Sequence, residues 1–191
     1  MSGGRVAAFL DRDGTIIRDA NYIRDPNEAE LLPTAAEAIR QLNERHILAI
    51  VITNQSGIAR GLLTAQDYEA VRQRIDILLA QSGAHVDASY MCPHYPDVSG
   101  PCDCRKPGLA LYRQAIAEHG VDPSRSVFIG DRWRDVAPAG ALGGSAILLD
   151  VDSTPPEDRE RAHREAIATE HSLGAAVDRF LAALPAYTVR Q

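Results

Sequence analysis

Lysine is almost missing from this chain: of its 20 basic residues, Lys106 alone is a lysine and the rest are arginine. A coding preference for arginine accounts for the bias. It also leaves Lys106 as the sole compact ammonium on a flexible stem, a point charge that serves phosphate where a planar guanidinium fits less well. Long apolar runs are missing as well, which excludes a membrane-spanning helix. The opening Met1-Ser2-Gly3-Gly4 runs into an apolar stretch without the pattern of a secretory signal. A cytoplasmic location with no membrane partner is the expectation. The net charge is −6 and no block of like charges stands out, which argues against a nucleic-acid partner. A small anionic substrate would need local positive charge instead. Cysteine is limited to three residues, an odd number that speaks against a disulfide framework.

What is present fits one compact unit. The 191 residues, 45% hydrophobic and 24% charged, suffice for a single domain over 1–191, with a C-terminal tail from about 185. Apolar runs alternate with amphipathic stretches. Strands are predicted near 5–10, 47–53, 86–91, 126–130 and 145–149, and helices near 34–45, 64–82, 108–119, 133–142 and 172–184. That alternation predicts an α/β fold: a single Rossmann-like, doubly wound and mainly parallel sheet with helices on both faces and no large cap domain. Residues 151–170, rich in charge after Pro155-Pro156, read as a solvated loop or surface helix without chemistry.

Asp11-Arg12-Asp13-Gly14-Thr15 follows the apolar run Val6 to Leu10 and sets two carboxylates where a buried strand stops. Side chains two apart on a strand share a face, so Asp11 and Asp13 can serve one substrate. A carboxylate can attack phosphorus, and a second carboxyl can protonate the leaving oxygen and then activate water. An Asp/Gly turn capping a strand is the plainer alternative. Two further strand exits weigh against it, because ligands of open parallel sheets bind beyond the carboxyl ends of strands. Thr53-Asn54-Gln55-Ser56-Gly57 offers a hydroxyl, amides and loop N–H groups to phosphate oxygens. Gly130-Asp131-Arg132-Trp133-Arg134-Asp135 brings another pair of carboxylates. Magnesium takes one or two carboxylates plus substrate phosphate, which suits Asp11 and Asp131 and leaves Asp135 to orient neighbours or charge a helix start.

All three cysteines fall between residues 92 and 104. Cys92, His94, Cys102 and Cys104 form a Cys-x-His and Cys-x-Cys set that matches a closed, structural zinc site stapling the loop. Buried apolar cysteines, or a redox pair of Cys102 and Cys104, are the alternatives. Arg105-Lys106-Pro107 follows the last thiol, so a folded loop would aim that arginine and the sole lysine.

Taken together, the Asp-x-Asp-Gly-Thr box, the hydroxyl after the second strand, the lysine and the Gly-Asp-x-x-x-Asp box resemble the four motifs of the haloacid dehalogenase superfamily of phosphohydrolases, over roughly residues 6–135. The resemblance implies Asp11 as nucleophile, Asp13 as general acid and base, and Thr53 and Lys106 on the phosphoryl oxygens. It further implies magnesium on Asp11, the Asp13 backbone carbonyl and Asp131. Asp13 implies a phosphatase or mutase rather than a dehalogenase, and the short interval from Gly14 to Ile52 favours hydrolysis. The cysteine loop through Pro107, together with Thr53 to Gly61, is similar to the bacterial heptose bisphosphate phosphatases, with histidinol-phosphate phosphatases as near relatives. This implies a small phosphorylated sugar as partner, removal of its C7 phosphate on the route to lipopolysaccharide heptose, and a structural zinc whose loop shapes substrate choice. Histidinol phosphate or another sugar phosphate stands as the alternative. Under the same resemblance Arg105 meets the distal end of the substrate, with Arg12, Asp19, Ala20, Asn21, Tyr22, Asn54, Gln55, Ser56 and Arg132 as further contacts and Arg60 able to contribute. A monomer is expected.

Overall fold

The computed structural model describes residues 4–184. The expected tail from about 185 lies outside the described residues. Strand β1 (Ala7–Leu10) leads through a flap and a short 3-10 turn (Pro26–Glu28) into helix α1 (Ala35–Glu44) and strand β2 (Leu48–Asn54). Helix α2 (Ala65–Ala80) precedes β3 (Ala88–Cys92), after which come the cysteine loop with its short helix α3 (Pro96–Ser99), helix α4 (Ala110–His119) and β4 (Val127–Gly130). Two short helices, α5 (Trp133–Val136) and α6 (Pro138–Leu142), lead to β5 (Ser145–Leu149), helix α7 (Pro156–Arg164), β6 (Ala168–Glu170) and helix α8 (Leu173–Ala183).

All six strands pair in parallel in the order β3-β2-β1-β4-β5-β6. The order reverses between β1 and β4, so the crevice at their carboxyl ends is the place where such a sheet binds ligands. Strand alternation sorts the core. Ala8, Leu10, Val51 and Ile129 face a layer that includes Ile39 and Leu42 of α1, Val71 and Ile75 of α2 and Phe180 of α8. Ala7, Phe9, Ile50 and Phe128 face the other way, against Leu111, Tyr112 and Ala115 of α4. Phe9 and Phe128 stack at 4.7 Å between ring centroids, and Tyr112 meets Phe9 edge-on at 5.6 Å, so the two strands that carry the acidic loops are packed directly together.

The doubly wound parallel architecture agrees with expectation, and two details differ. The helix predicted over 133–142 is broken into α5 and α6, because Pro138 has no N–H to continue the ladder. The stretch read as loop or surface helix contains β6 as well as α7. Three residues on a sheet edge are too few to write an alternating pattern.

Candidate active site

Lys106 is the geometric centre of the site. Its Nζ donates to Asp11 Oδ1 at 2.7 Å and to the Ile52 carbonyl at 2.6 Å, and it forms an ion pair with Asp135 Oδ1 at 2.7 Å. All three side chains are at most 6% exposed. Burial alone would push the lysine toward neutrality. The carboxylates of Asp11 and Asp135 outweigh it and hold the ammonium above its usual range. Asn54, at the end of β2, fixes the backbone of that lysine: its Oδ1 accepts from Lys106 N at 2.9 Å and its Nδ2 donates to Lys106 O at 3.3 Å.

Asp131 leaves the end of β4 beside Asp11. Its Oδ2 accepts from Ser153 Oγ at 2.7 Å and lies 3.3 Å from Arg132 Nε, while its Oδ1 is buried with no hydrogen-bond partner. Burial, then repulsion from Asp11, pushes its carboxyl up to about 7. Asp11, Asp131 and Asp135 each offer an oxygen within 4.8 Å of the others. Oxygens on one octahedral magnesium are separated by roughly 3 to 4 Å, so an orphaned Asp131 Oδ1 beside a second carboxylate fits a hard cation. Asp135 has both oxygens engaged, Oδ1 by Lys106 and Oδ2 by the Arg132 N–H at 3.0 Å, whereas Lys106 takes only Oδ1 of Asp11, so Asp11 and Asp131 are the pair better placed to hold metal. Gly14 makes this closeness possible. Its φ is +80°, and a Cβ there would come within 2.5 Å of Asp131 Oδ2.

Asp13 stands on the rim, its side chain 23% exposed. Gln55 Nε2 donates to Asp13 Oδ2 at 2.8 Å and to Thr53 Oγ1 at 2.9 Å, which ties the strand exits of β1 and β2 into one network. Burial, and secondarily Asp11, raise the Asp13 carboxyl against the lowering effect of Arg12. Arg12, expected among the substrate contacts, is set against Asp13. It is only 4% exposed, and its guanidinium is engaged with Asp13. The flap tip has Asp19, Ala20, Asn21 and Tyr22 exposed, anchored by buried Ile17 and Ile23. Asp19 Oδ2 lies 3.8 Å from Arg132 Nη2, and the Arg60 guanidinium sits 5.4 Å from the Tyr22 ring and 5.1 Å from the Tyr95 ring. Asn21 and Tyr22 both adopt left-handed backbone, at φ 51° and 61°, so the exposed tip is strained. Ser56 is half-buried at the start of the following turn, its carbonyl accepting from Arg60 N at 3.2 Å.

The four metal-type side chains of the cysteine loop converge. Cys92 Sγ lies 3.7 Å from Cys102 Sγ and 2.9 Å from Cys104 Sγ, Cys102 and Cys104 are 3.5 Å apart, and His94 Nδ1 is 3.1 Å from Cys104 Sγ. Ligands about 2.3 Å from a tetrahedral zinc are separated by roughly 3.8 Å, so the spacing suits zinc with slight expansion. Burial, then the neighbouring thiols, push Cys104 up to about 12, which a cation among them would reverse. Arg105 Nη1 donates to the His94 carbonyl at 3.3 Å, which turns it back along the loop.

Ser153 was missed by the sequence reading, since it lies in the stretch assigned no chemistry. Its signal was its place: it follows β5, the neighbour of β4, at the same carboxyl edge of the sheet.

A parallel sheet of this order, with a nucleophile-type carboxylate after β1, a buried lysine against it and acids after β4, defines a haloacid-dehalogenase-like phosphatase. Residues 103–176 match the sequence pattern of the HAD-hydrolase-like family. A D-glycero-beta-D-manno-heptose-1,7-bisphosphate 7-phosphatase of Haemophilus ducreyi is 37% identical over 76% of this chain and 83% of that protein. One from Bordetella bronchiseptica is 38% identical over 74% and 78%. The crystal structure of D,D-heptose 1.7-bisphosphate phosphatase from B. bronchiseptica, complexed with magnesium and phosphate, superposes with a TM-score of 0.81 at 32% identity, covering 93% of this chain and 98% of that one. The chain belongs to this family of haloacid-dehalogenase-like phosphatases. No helix among the described residues is long and apolar enough to cross a membrane.

Proposed function

We propose that this phosphatase removes the C7 phosphate of D-glycero-β-D-manno-heptose 1,7-bisphosphate through an aspartyl-phosphate on Asp11. The observation that carries the chemistry is the contact of Lys106 with Asp11 beside the unpartnered oxygen of Asp131. The identity of the sugar is supported by relatives of that name at 37% and 38% identity.

In this reading Asp11 attacks phosphorus in line with the sugar oxygen, and Asp13, protonated, delivers its proton to that oxygen as the P–O bond breaks. Asp13 then takes a proton from water as water displaces phosphate from Asp11. Lys106 and Thr53 neutralise and orient the phosphoryl oxygens, since a loose phosphoryl-transfer transition state is served mostly by positioning and charge. Magnesium, held by Asp11, the Asp13 backbone carbonyl and Asp131, would supply charge neutralisation at the same oxygens. Arg105, Arg132 and the flap tip, Asp19 to Tyr22, lie around the distal part of the sugar, with Asn54, Gln55 and Ser56 along the β2 exit. Cys92, His94, Cys102 and Cys104 would hold a structural zinc that staples the loop without taking part in the chemistry, since such a four-residue set fills a tetrahedral site. The three thiols belong in a reducing compartment such as the cytoplasm.

Phosphate release should be compared for both anomers of the heptose bisphosphate and for histidinol phosphate, with magnesium and with EDTA. A kcat/KM at least tenfold higher for the β-anomer, lost in EDTA, is expected. Preference for histidinol phosphate would overturn the assignment of the sugar, and magnesium-independent turnover would overturn the mechanism.

A further inference from the structure

Arg12 lies between the two catalytic-type aspartates in sequence, and a strand side chain there should point away from both. Its stem does leave toward α2, where the guanidinium carbon stands 5.4 Å from the centroid of the Tyr68 ring. The head then folds back. Nη2 lies 2.9 Å from each oxygen of Asp13, and Nε lies 3.1 and 3.2 Å from the same two oxygens. A charged side chain 4% exposed and directed at one partner is not a surface arginine. Tyr68 is itself only 7% exposed, so the ring backing the guanidinium is part of the packed interior. Gln55 completes the hold, with one amide nitrogen on both Asp13 Oδ2 and Thr53 Oγ1.

An aspartate has two rotatable side-chain bonds, and a general acid works only when its proton points at the departing oxygen. With no cap domain among the described residues, the orientation of Asp13 has to come from the core fold. We propose that Arg12, backed by Tyr68 and assisted by Gln55, is a positioning residue that sets the Asp13 carboxyl toward the leaving group, and that it does not contact the substrate. The proposal rests on Asp13 being the general acid of the proposed reaction. Arg12 gives up no proton in the cycle: the proton passes from Asp13 to the sugar oxygen, and from water back to Asp13.

The test exploits the leaving group. An alkyl phosphate needs an acid to depart, whereas 2,4-dinitrophenyl phosphate does not, and kcat/KM reports steps up to departure. In Arg12→Met, kcat/KM for the heptose bisphosphate should fall roughly 100-fold, within the contribution of a general acid, while that for the dinitrophenyl ester should change less than about threefold. Arg12→Lys, which keeps charge without the fork, should recover only part of the loss. Tyr68→Leu, which removes the ring backing the guanidinium, should give the same selective pattern, and it keeps the question answerable if Arg12→Met fails to fold. A crystal structure of the more stable of these variants should have Asp13 rotated or in two conformers. Equal losses on both substrates, no loss on either, or an unmoved Asp13 would overturn the proposal. Inactivity of the wild-type protein on both substrates in magnesium would instead overturn the underlying phosphatase mechanism.

Discussion

Lys106 donates to Asp11 at 2.7 Å across 95 residues of sequence. Each is almost wholly buried, so the pair is held by the fold rather than by chance approach. Removing the ammonium in Lys106→Met takes the shared cation away from the buried Asp11 and Asp135, a change that costs about 3 to 5 kcal/mol. Urea unfolding should register that loss, and kcat should fall at least 100-fold. Lys106→Arg should not restore activity, because the guanidinium cannot occupy a space already bounded by Asp11, Asp135 and the Ile52 carbonyl. Full activity in the arginine variant would contradict this.

A metal held by Asp131 would be tied to pH. The folded-state carboxyl of Asp131 sits at about 7, above its ordinary 3.8. For the metal-free protein this contribution to stability is fully present below 3.8 and is lost as pH rises through about 7, by at most about 1.4 kcal/mol for each pH unit. A cation that favours the ionised form reverses the penalty. The Tm gain on adding magnesium should therefore be larger at about pH 8 than at about pH 5.5, and Asp131→Asn should abolish it. An equal gain at both pH values would contradict the assignment.

Gly14 separates the metal site from the turn. At φ +80° and with a notional Cβ 2.5 Å from Asp131 Oδ2, alanine there meets both backbone strain and a direct clash. Gly14→Ala should lose about 1 to 3 kcal/mol and weaken magnesium binding by roughly tenfold, measured by calorimetry. Unchanged affinity would mean that Asp131 does not face the metal.

The cysteine loop makes an analytical demand. Protein purified without chelator should contain about one equivalent of zinc, as one closed site requires, and Cys102→Ser should lower both zinc content and Tm. Because Lys106 lies directly after the loop, activity should fall as well, through a poorer kcat rather than a different metal requirement. Wild-type Tm and kcat in a zinc-free Cys102→Ser protein would rule out the staple.

The sheet was legible because each buried strand is an uninterrupted apolar run: Val6 to Leu10, Ala49 to Ile52 and Val127 to Ile129 announce themselves, and the polar residues directly after them mark the ligand edge. Residues with a chemical signature drew notice in the same way, and the fold brings together Asp11, Asp131 and Lys106 in one cluster and the four side chains of the cysteine loop in another. Residues that act through a neighbour did not. Ser153 reaches Asp131 and Asn54 holds Lys106 only once the chain has folded. Arg12 shows the same limit: in the sequence its guanidinium reads as a substrate contact, and its engagement with Asp13 emerges only in the fold. The short edge strand β6 and the break at Pro138 escaped because each depends on a few residues with no period of their own.

The central claim is that Asp11 carries the phosphoryl group. Acid-quenching the enzyme during turnover with heptose bisphosphate and magnesium, then reducing with borohydride and mapping peptides, tests it directly, since an acyl phosphate at Asp11 becomes homoserine at that position. Conversion at Asp11 that requires both substrate and magnesium, and is absent from Asp11→Asn, is the expected result. Sustained turnover with no conversion at Asp11, or with the phosphoryl group on another residue, would contradict it.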